Sequence, residues 1–292
     1  MMPEGAFAAR CAEIVGGRGA IAVMELSTGR LIVASDPEVL FASTYPPGSV
    51  AKLVTGLLAL EDNLPGNFGR YGCYILDSGA LAPGGYENAP EGYGCCGFEV
   101  VEGDTLWCSV RTGHGEVDFS RALAQSCNLY FQNLAKQMSA EDLAGMWRAL
   151  RLNEKVGLDL PGEVESIVET PGTDSAKLAF AIGQGAAIQL TPIAMLALIS
   201  GIATQGQLLR PRLSQGPPEM LACMPSQKAL AKIRPVLRDV VRSGTAKQAD
   251  ISTVRVAGKT GSATVLGNWG THGWFGGFAP CEAPAIGVGG FL

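Results

Sequence analysis

Tyr45-Pro46-Pro47-Gly48-Ser49-Val50-Ala51-Lys52 is a chain break that turns directly into a helix, because the apolar run opening at Ser49 continues to near Asp62. Three residues separate Ser49 from Lys52, so the hydroxyl and the amine project from one helix face a turn apart. A weak alcohol nucleophile needs such a neighbouring base. The start of a helix also favours developing negative charge through its backbone N–H groups and dipole. Alone, the pair says little. Residue usage yields roughly one such spacing by chance in a chain of this length, and a serine before a helix most often caps it.

Two further motifs stand in order downstream, Ser126-Cys127-Asn128 and Lys259-Thr260-Gly261. On either side of the helix the chain reads as strand. Gly19 to Leu26 and Arg30 to Ser35 flank Ser27-Thr28-Gly29 as an antiparallel hairpin, and Val254 to Val265, His272 to Ala279 and Ala285 to Leu292 close the chain as strands. Between them, helical patterning covers Phe119 to Met138, a segment capped by Ser139 with Asp142 three residues on, one opened by Thr191-Pro192, and Ser226 to Arg242. Leu64 to Gly115 is rich in Gly, Pro, Tyr and Cys with little periodicity, and reads as an irregular insertion. Strands from both ends of the sequence joining one sheet, with helices between, predict an α/β (α+β) fold carrying an inserted helical subdomain.

Composition narrows the function. In 292 residues, 47% are apolar and 17% charged, which describes a folded chain with ample core. The formal net charge of -5 and the absence of any Lys/Arg run argue against nucleic-acid binding. The longest mostly apolar stretch, Leu190 to Ala203, holds Thr191, Pro192 and Ser200 and is too short to span a bilayer, so it reads as a core helix. Met1 to Arg10 lacks the basic and apolar regions of a secretory signal.

The ordered set of Ser-x-x-Lys, Ser-x-Asn and Lys-Thr-Gly resembles the signature of penicillin-binding proteins and serine β-lactamases. Further landmarks narrow this to the transpeptidase domain of a class B penicillin-binding protein. They are Gly113-His114-Gly115-Glu116-Val117, Gly157-Leu158-Asp159-Leu160-Pro161-Gly162-Glu163, Gly183-Gln184-Gly185, Gly244-Thr245-Ala246 and Trp274-Phe275-Gly276-Gly277-Phe278-Ala279-Pro280. The resemblance runs from about Gly19 to the last residue. It implies one domain over 1–292 in the β-lactamase/transpeptidase-like fold: a mostly antiparallel sheet flanked by helices. The sheet would come from about 19–36 and 254–292, and a helical subdomain with the irregular insertion from about 64–160. Three departures stand out. The family's membrane anchor and non-catalytic pedestal are absent, Ser262 replaces a common Thr, and the sequence stops at Leu292, where the family continues into a C-terminal helix. The last departure suggests a truncated domain.

The resemblance implies a peptidoglycan D,D-transpeptidase that cross-links stem peptides through a serine acyl-enzyme and binds penicillin covalently. Ser49 would attack the D-Ala-D-Ala carbonyl and Lys52 would act as its base. A lysine titrates near ~10.4, so it must be desolvated or placed beside another cation such as Lys259. Ser126 would relay a proton to the leaving amine, and Asn128 would bond both Lys52 and a substrate amide. Lys259 and Thr260 would take the substrate carboxylate, and Gly261 would let the substrate backbone approach. The Ser49 and Ser262 N–H groups would form the oxyanion hole. Gly183 and Gly185 read as turns, and Trp274 and Phe275 as core. The implied setting is the cell envelope, at the outer face of the cytoplasmic membrane, with β-lactams as ligands and a glycosyltransferase as partner. A D,D-carboxypeptidase, a β-lactamase or a β-lactam sensor without turnover remains open. The Asn ending the second motif disfavours class D β-lactamases, and Glu163 and Glu165 follow a family landmark where no deacylation loop is evident.

Catalysis itself needs no cofactor. Cys95, Cys108, His114 and Cys127 nevertheless supply four soft or borderline ligands in a loop-rich region, as a structural zinc site requires. Some elongation-type members of the family carry metal-binding side chains around the corresponding histidine. The alternative is a Cys73–Cys108 or similar disulfide. Cys11, Cys223 and Cys281 read as buried small apolar residues.

Overall fold

A computed structural model describes residues 4–64, 71–75, 81–85, 93–101, 104–264 and 270–292. Helix α1 (Glu4–Val15) leads into strand β1 (Ala20–Glu25), the turn at Gly29, and β2 (Leu31–Ala34), as the hairpin reading predicts. Asp36 caps the short α2 (Pro37–Phe41) by accepting from the Val39 N–H. A 3-10 turn, Gly48–Ala51, then runs into α3 (Lys52–Glu61), whose first eight residues are all buried.

The region expected to be irregular contains strands. Its described parts form β3 (Tyr71–Ile75), β4 (Leu81–Gly85), β5 (Tyr93–Cys95), β6 (Phe98–Val101), β7 (Asp104–Trp107) and β8 (Gly115–Val117), paired as β3–β4, β5–β8 and β6–β7. The rest of that region lies outside the described residues. These strands are only three to five residues long, and glycine interrupts β3, β4, β5 and β8, so no alternating pattern is printed.

The helix expected over Phe119 to Met138 is two helices, α4 (Phe119–Ala124) and α5 (Asn128–Lys136). The break falls at Ser126, whose φ of 58 lies in the left-handed region. Its carbonyl and its hydroxyl are both taken by lysine ammonium groups, which hold the backbone there. Downstream come α6 (Ala140–Ala149), capped by Ser139 as expected, β9 (Ile167–Val168), α7 (Asp174–Phe180) and β10 (Ile188–Gln189). Then follow α8 (Pro192–Ala203), β11 (Gln207–Leu209), β12 (Met220–Cys223) and α9 (Gln227–Arg242). Every residue of α8 is buried, so the apolar stretch is the core helix its length implied.

The last three strands are β13 (Ala257–Thr264), β14 (Thr271–Ala279) and β15 (Ile286–Phe291). The main sheet runs β13-β14-β15-β1-β2 and is antiparallel throughout. Strands from the two ends of the sequence meet where β15 pairs with β1, Phe291 opposite Ala20. Helix α8 packs on one face, with Met195 and Ile199 against Gly276, while α1 covers β1 and β2 on the other. Strand β13 is an edge strand, and its free edge builds the site described next.

Candidate active site

The segment before Ser49 is fixed by aromatic packing and backbone pairing. Tyr45 exchanges both backbone hydrogen bonds with Leu190, and its ring lies 4.1 Å from that of Phe291. The Trp274 indole N–H donates to the Pro46 carbonyl at 3.0 Å. Gly48 takes φ 53 and presses on β13, where a Cβ would stand 2.4 Å from the Ser262 carbonyl. Gly261 faces the same contact from the strand, with a Cβ position 2.6 Å from the Pro47 carbonyl. Its glycine is therefore required on the inner side, by packing, where the resemblance had implied approach of substrate. The nucleophile's turn and the edge strand thus meet backbone to backbone, with the Val50 side chain packed beside the contact.

Ser49 does not cap the helix. It sits inside the 3-10 turn, and its Oγ accepts from Lys52 Nζ at 3.0 Å. Lys52 is fully buried and also donates to the Ser126 carbonyl at 2.7 Å, the Ser126 Oγ at 3.2 Å and the Asn128 Oδ1 at 2.6 Å. Lys259, likewise fully buried, donates to the Ser126 Oγ at 2.9 Å and to the Thr260 carbonyl at 2.9 Å. One serine hydroxyl thus bridges the two lysines. Burial lowers Lys52 to about 8, against an opposing pull from the thiols of Cys127, Cys108 and Cys95. Burial, and then repulsion from Lys52, hold Lys259 well below an ordinary lysine. The depression of Lys52 is thus a burial effect, where the sequence suggested a contribution from Lys259.

Around these groups lies a cleft of about 590 Å³, lined in part by Ser49, Ser126, Asn128, Thr260, Gly261 and Ser262. The Ser262 carbonyl accepts from Gln184 Nε2 at 3.0 Å, and the Thr264 N–H donates to Gln184 Oε1 at 3.4 Å. In an antiparallel strand the N–H and C=O of one residue point to the same side, and alternate residues share it. Thr260, Ser262 and Thr264 therefore turn their backbone groups to the free edge, and the Ser262 N–H faces the cleft. Sequence reading did not single out Gln184 or Thr245 as site residues. Thr245 Oγ1 lies 2.6 Å from Thr260 Oγ1 on the cleft wall. Both sit beside glycines within family landmarks, Gly183-Gln184-Gly185 and Gly244-Thr245-Ala246. Gly183 and Gly185 do take positive φ, as turns require; Trp274 is buried as expected and Phe275 only half-buried, and both border the cleft.

Behind the cleft the four expected ligand residues come together. Pairing of Cys95 with Gly115 across β5 and β8 sets His114 beside Cys95. His114 Nδ1 lies 3.5 Å from Cys95 Sγ and 3.3 Å from Cys108 Sγ, and the Cys108 and Cys127 sulfurs are 3.8 Å apart. All four donor atoms fall within 4.8 Å of one another. Zinc bonds of about 2.3 Å to sulfur and about 2.0–2.1 Å to nitrogen, at tetrahedral angles, give edges of about 3.8 Å between sulfurs and about 3.5 Å from sulfur to nitrogen. The donor set fits that polyhedron. Hydrogen bonds with Cys127 and Cys95 push the Cys108 thiol well down, hydrogen bonds with Cys108 and Cys95 push the Cys127 thiol well up, and Cys108 and Cys95 raise His114 to about 9. Cys108 and Cys95 are free thiols, so the Cys73–Cys108 disulfide does not form, whereas Cys96 is disulfide-bonded. Cys11 is buried as expected, Cys281 is half-buried and Cys223 is exposed, at odds with the buried reading for both.

The cluster and the cleft share a backbone. Cys127 turns back toward Cys108, while Ser126 and Asn128 on either side reach the lysines. The Asn128 N–H donates to Cys108 Sγ at 3.3 Å, and its side-chain amide donates to the Trp107 carbonyl at 3.1 Å. Glu163 is absorbed elsewhere: its buried carboxylate accepts from the N–H groups of Val156, Gly157 and Leu158.

The sequence model of the penicillin binding protein transpeptidase domain matches residues 98–290. The chain belongs to the penicillin-binding protein transpeptidase family. Over 266 residues it is 30% identical to stage V sporulation protein D of Bacillus subtilis, covering 84% of this chain and 37% of that one. It is 28% identical to the peptidoglycan D,D-transpeptidase MrdA of Acinetobacter baumannii, covering 84% of this chain and 38% of the relative. The chain thus spans under two-fifths of the length of these relatives. The penicillin-binding protein PBP2 of Helicobacter pylori, solved with MreC, superposes with a TM-score of 0.80 at 25% identity, over 97% of this chain and 57% of that one. The penicillin-binding protein A of Mycobacterium tuberculosis, solved as a ceftriaxone acyl-enzyme, shares the fold at 22% identity with a TM-score of 0.73, over 94% of this chain and 68% of that one.

Proposed function

We propose that this transpeptidase domain performs a two-step acyl transfer on peptides ending in D-Ala-D-Ala, and that β-lactams trap its first step. The observation that carries the reading is the shared Ser126 hydroxyl between two buried lysines, one of which also holds the Ser49 Oγ. Neutral Lys52 takes the Ser49 proton as Oγ attacks the carbonyl carbon, and the carbonyl electrons move onto oxygen between the Ser49 and Ser262 N–H groups. A preorganised donor of this kind is worth roughly 3–4 kcal/mol. As the C–N bond breaks, the Lys52 proton passes through Ser126 Oγ to the leaving amine, and an ester remains on Ser49. An acceptor amine reverses the sequence and forms the new amide. Lys259, Thr260 and Thr245 take the terminal carboxylate, by charge and hydroxyl.

Slow release by water fits the fate of Glu163, whose carboxylate is committed to three backbone N–H groups and cannot serve as a deacylation base. Intact-mass spectrometry with benzylpenicillin tests the reading. A long-lived adduct on the protein, missing in Ser49→Ala, is expected. Equal labelling of both proteins refutes the nucleophile, and rapid hydrolysis by the wild type favours a β-lactamase.

We infer a structural zinc ion held by Cys95, Cys108, His114 and Cys127, outside the reaction itself. Its role is to fix the turn that presents Ser126 and Asn128. Stem peptides as substrate, a glycosyltransferase partner and action at the outer face of the cytoplasmic membrane follow from the family. Among the described residues no helix is long and apolar enough to cross a membrane.

A further inference from the structure

We propose that a groove at the entry to β13, separate from the catalytic cleft, binds a phosphate dianion, as inorganic phosphate or as a phosphate monoester headgroup. The groove has a volume of about 760 Å³ and shares no lining residue with the cleft. Helix α9 supplies one wall with Arg234, Arg238 and Arg242. These stand four residues apart, so they share a helix face at steps of about 6 Å. The other wall is the junction where Arg255 leads into β13 and Cys281 and Glu282 follow β14. Two hydrogen bonds fix the walls. The Cys281 N–H donates to the Arg255 carbonyl at 2.7 Å, and Arg238 Nη1 donates to the Val256 carbonyl at 3.1 Å.

The charge of the groove runs against that of the chain. The protein has a formal net charge of -5, yet here four arginines face two carboxylates. Arg242 pairs with Asp239 at 3.0 Å, Arg255 with Glu282 at 2.5 Å, and Arg238 with Asp250 outside the lining at 2.8 Å. Among the described residues no carboxylate pairs with Arg234, and the buried Arg238 Nε has no hydrogen-bond partner. Arg255 and Glu282 are both more than half exposed. Such a pair contributes under about 1 kcal/mol, so Glu282 yields to a stronger anion at little cost. Arg234, Arg238 and Arg255 converge on the half-buried Cys281 thiol. Burial and then Glu282 raise its pKa, and the three guanidinium groups oppose them. A planar carboxylate is filled by one guanidinium fork, whereas the tetrahedral oxygens of phosphate meet forks from both walls at once. Its two charges also match the excess of arginine over carboxylate in the lining.

Cys281 reports on the site, because an anion held between the walls covers its thiol. The domain bearing Cys223→Ser, which removes the exposed thiol, is alkylated with neutral iodoacetamide, and the Cys281 adduct is followed by peptide mass mapping. Sodium phosphate, compared with sodium chloride at equal ionic strength, should slow that reaction saturably, by about fivefold once phosphate reaches about four times its dissociation constant. The half-protecting concentration should rise about tenfold in Arg234→Gln and in Arg255→Gln, the loss of one charge-assisted contact, and less in Arg234→Lys. Arg234 has no carboxylate partner to lose, so its replacement leaves the fold intact. Glycerol 3-phosphate in solution and vesicles containing phosphatidic acid, at equal phosphate, separate the two sources: stronger protection by the vesicles assigns a lipid headgroup, and equal protection a soluble phosphate. Protection no greater than that by chloride overturns the proposal, as does protection unchanged in both glutamine variants. Benzylpenicillin acylation should stay within about twofold of wild type in these variants. Loss of protection with an equal loss of acylation also overturns the site, because the substitutions would then act through the fold.

Discussion

Replacing Asn128 with aspartate should move the acylation pH profile upward without moving the nucleophile. In the wild type Lys52 titrates at about 8 because it is buried. The neutral fraction, which is the competent base, is then about a tenth at pH 7 and about nine-tenths at pH 9. An ordinary lysine near ~10.4 would be neutral in only about 1 in 2,500 molecules at pH 7, so burial raises the supply of base about two-hundredfold. Asn128→Asp keeps the shape but sets a carboxylate where Oδ1 now accepts from Nζ at 2.6 Å. An opposite charge at that range favours the ammonium and raises its pKa by about one to two units. Acylation at pH 7 should therefore fall about ten- to a hundredfold, and the rise with pH should centre at about 9–10 instead of about 8. The measurement is the benzylpenicillin acylation rate by intact mass from pH 6 to 10.5, with circular dichroism to follow folding. A variant slowed equally at every pH would refute the assignment of Lys52 as the titrating base. So would a wild-type profile flat across pH 7 to 9. Stability carries the same signature. The folded pKa lies below the unfolded one, so between about 8 and 10.4 the unfolded chain binds more protons and stability rises with pH, by about 3 kcal/mol for Lys52. Lys52→Met should flatten that slope in denaturant titrations, while Lys259 keeps its own share.

Lys259→Ala should raise the benzylpenicillin concentration that half-saturates acylation by about ten- to a hundredfold, the loss of one charge-assisted contact, as read from progress curves. Thr245→Val keeps the shape of the cleft wall but removes the partner of Thr260, and should cost about three- to tenfold in the same measurement. The purified domain should carry about one equivalent of zinc by elemental analysis. Chelation should slow acylation without altering any catalytic side chain, and absence of zinc with Cys95 or Cys108 in a disulfide would refute the site. Glu163→Gln should lower Tm by roughly 5–10 °C in a thermal melt, because three backbone donors lose a charged acceptor, while the penicillin adduct stays long-lived.

The sheet and the reacting groups were legible because each is a local pattern. Apolar runs around a turn at one end of the sequence and β-like runs at the other mark β1, β2, β13, β14 and β15, and three short motifs carry the serines, the lysines and Asn128. What the sequence hid is set at long range or by backbone conformation. Nothing in the periodicity from Phe119 to Met138 announces the left-handed Ser126 that divides it, since that conformation is held by lysines from two distant segments. Strand β4 reads Leu81-Ala82-Pro83-Gly84-Gly85, which carries no strand signal of its own. Gln184 reaches Ser262 across the chain, and Thr245 reaches Thr260, so neither role is written in its neighbours. The Cys and His residues were recognisable by type, yet only the β5–β8 pairing brings His114 against Cys95.

The meeting of β1 with β15 has a consequence for biosynthesis. A ribosome delivers Ser49 and Lys52 early, but the sheet that carries Lys259 stays open until Phe291 finds Ala20. Contacts so distant in sequence form slowly, because the loop must close before pairing rewards it. The nascent chain therefore holds its nucleophile in an unfinished site, with the second lysine still absent from Ser126. Covalent capture of penicillin then becomes a clock: pulse-labelled chains acquire the drug only when β15 has docked on β1.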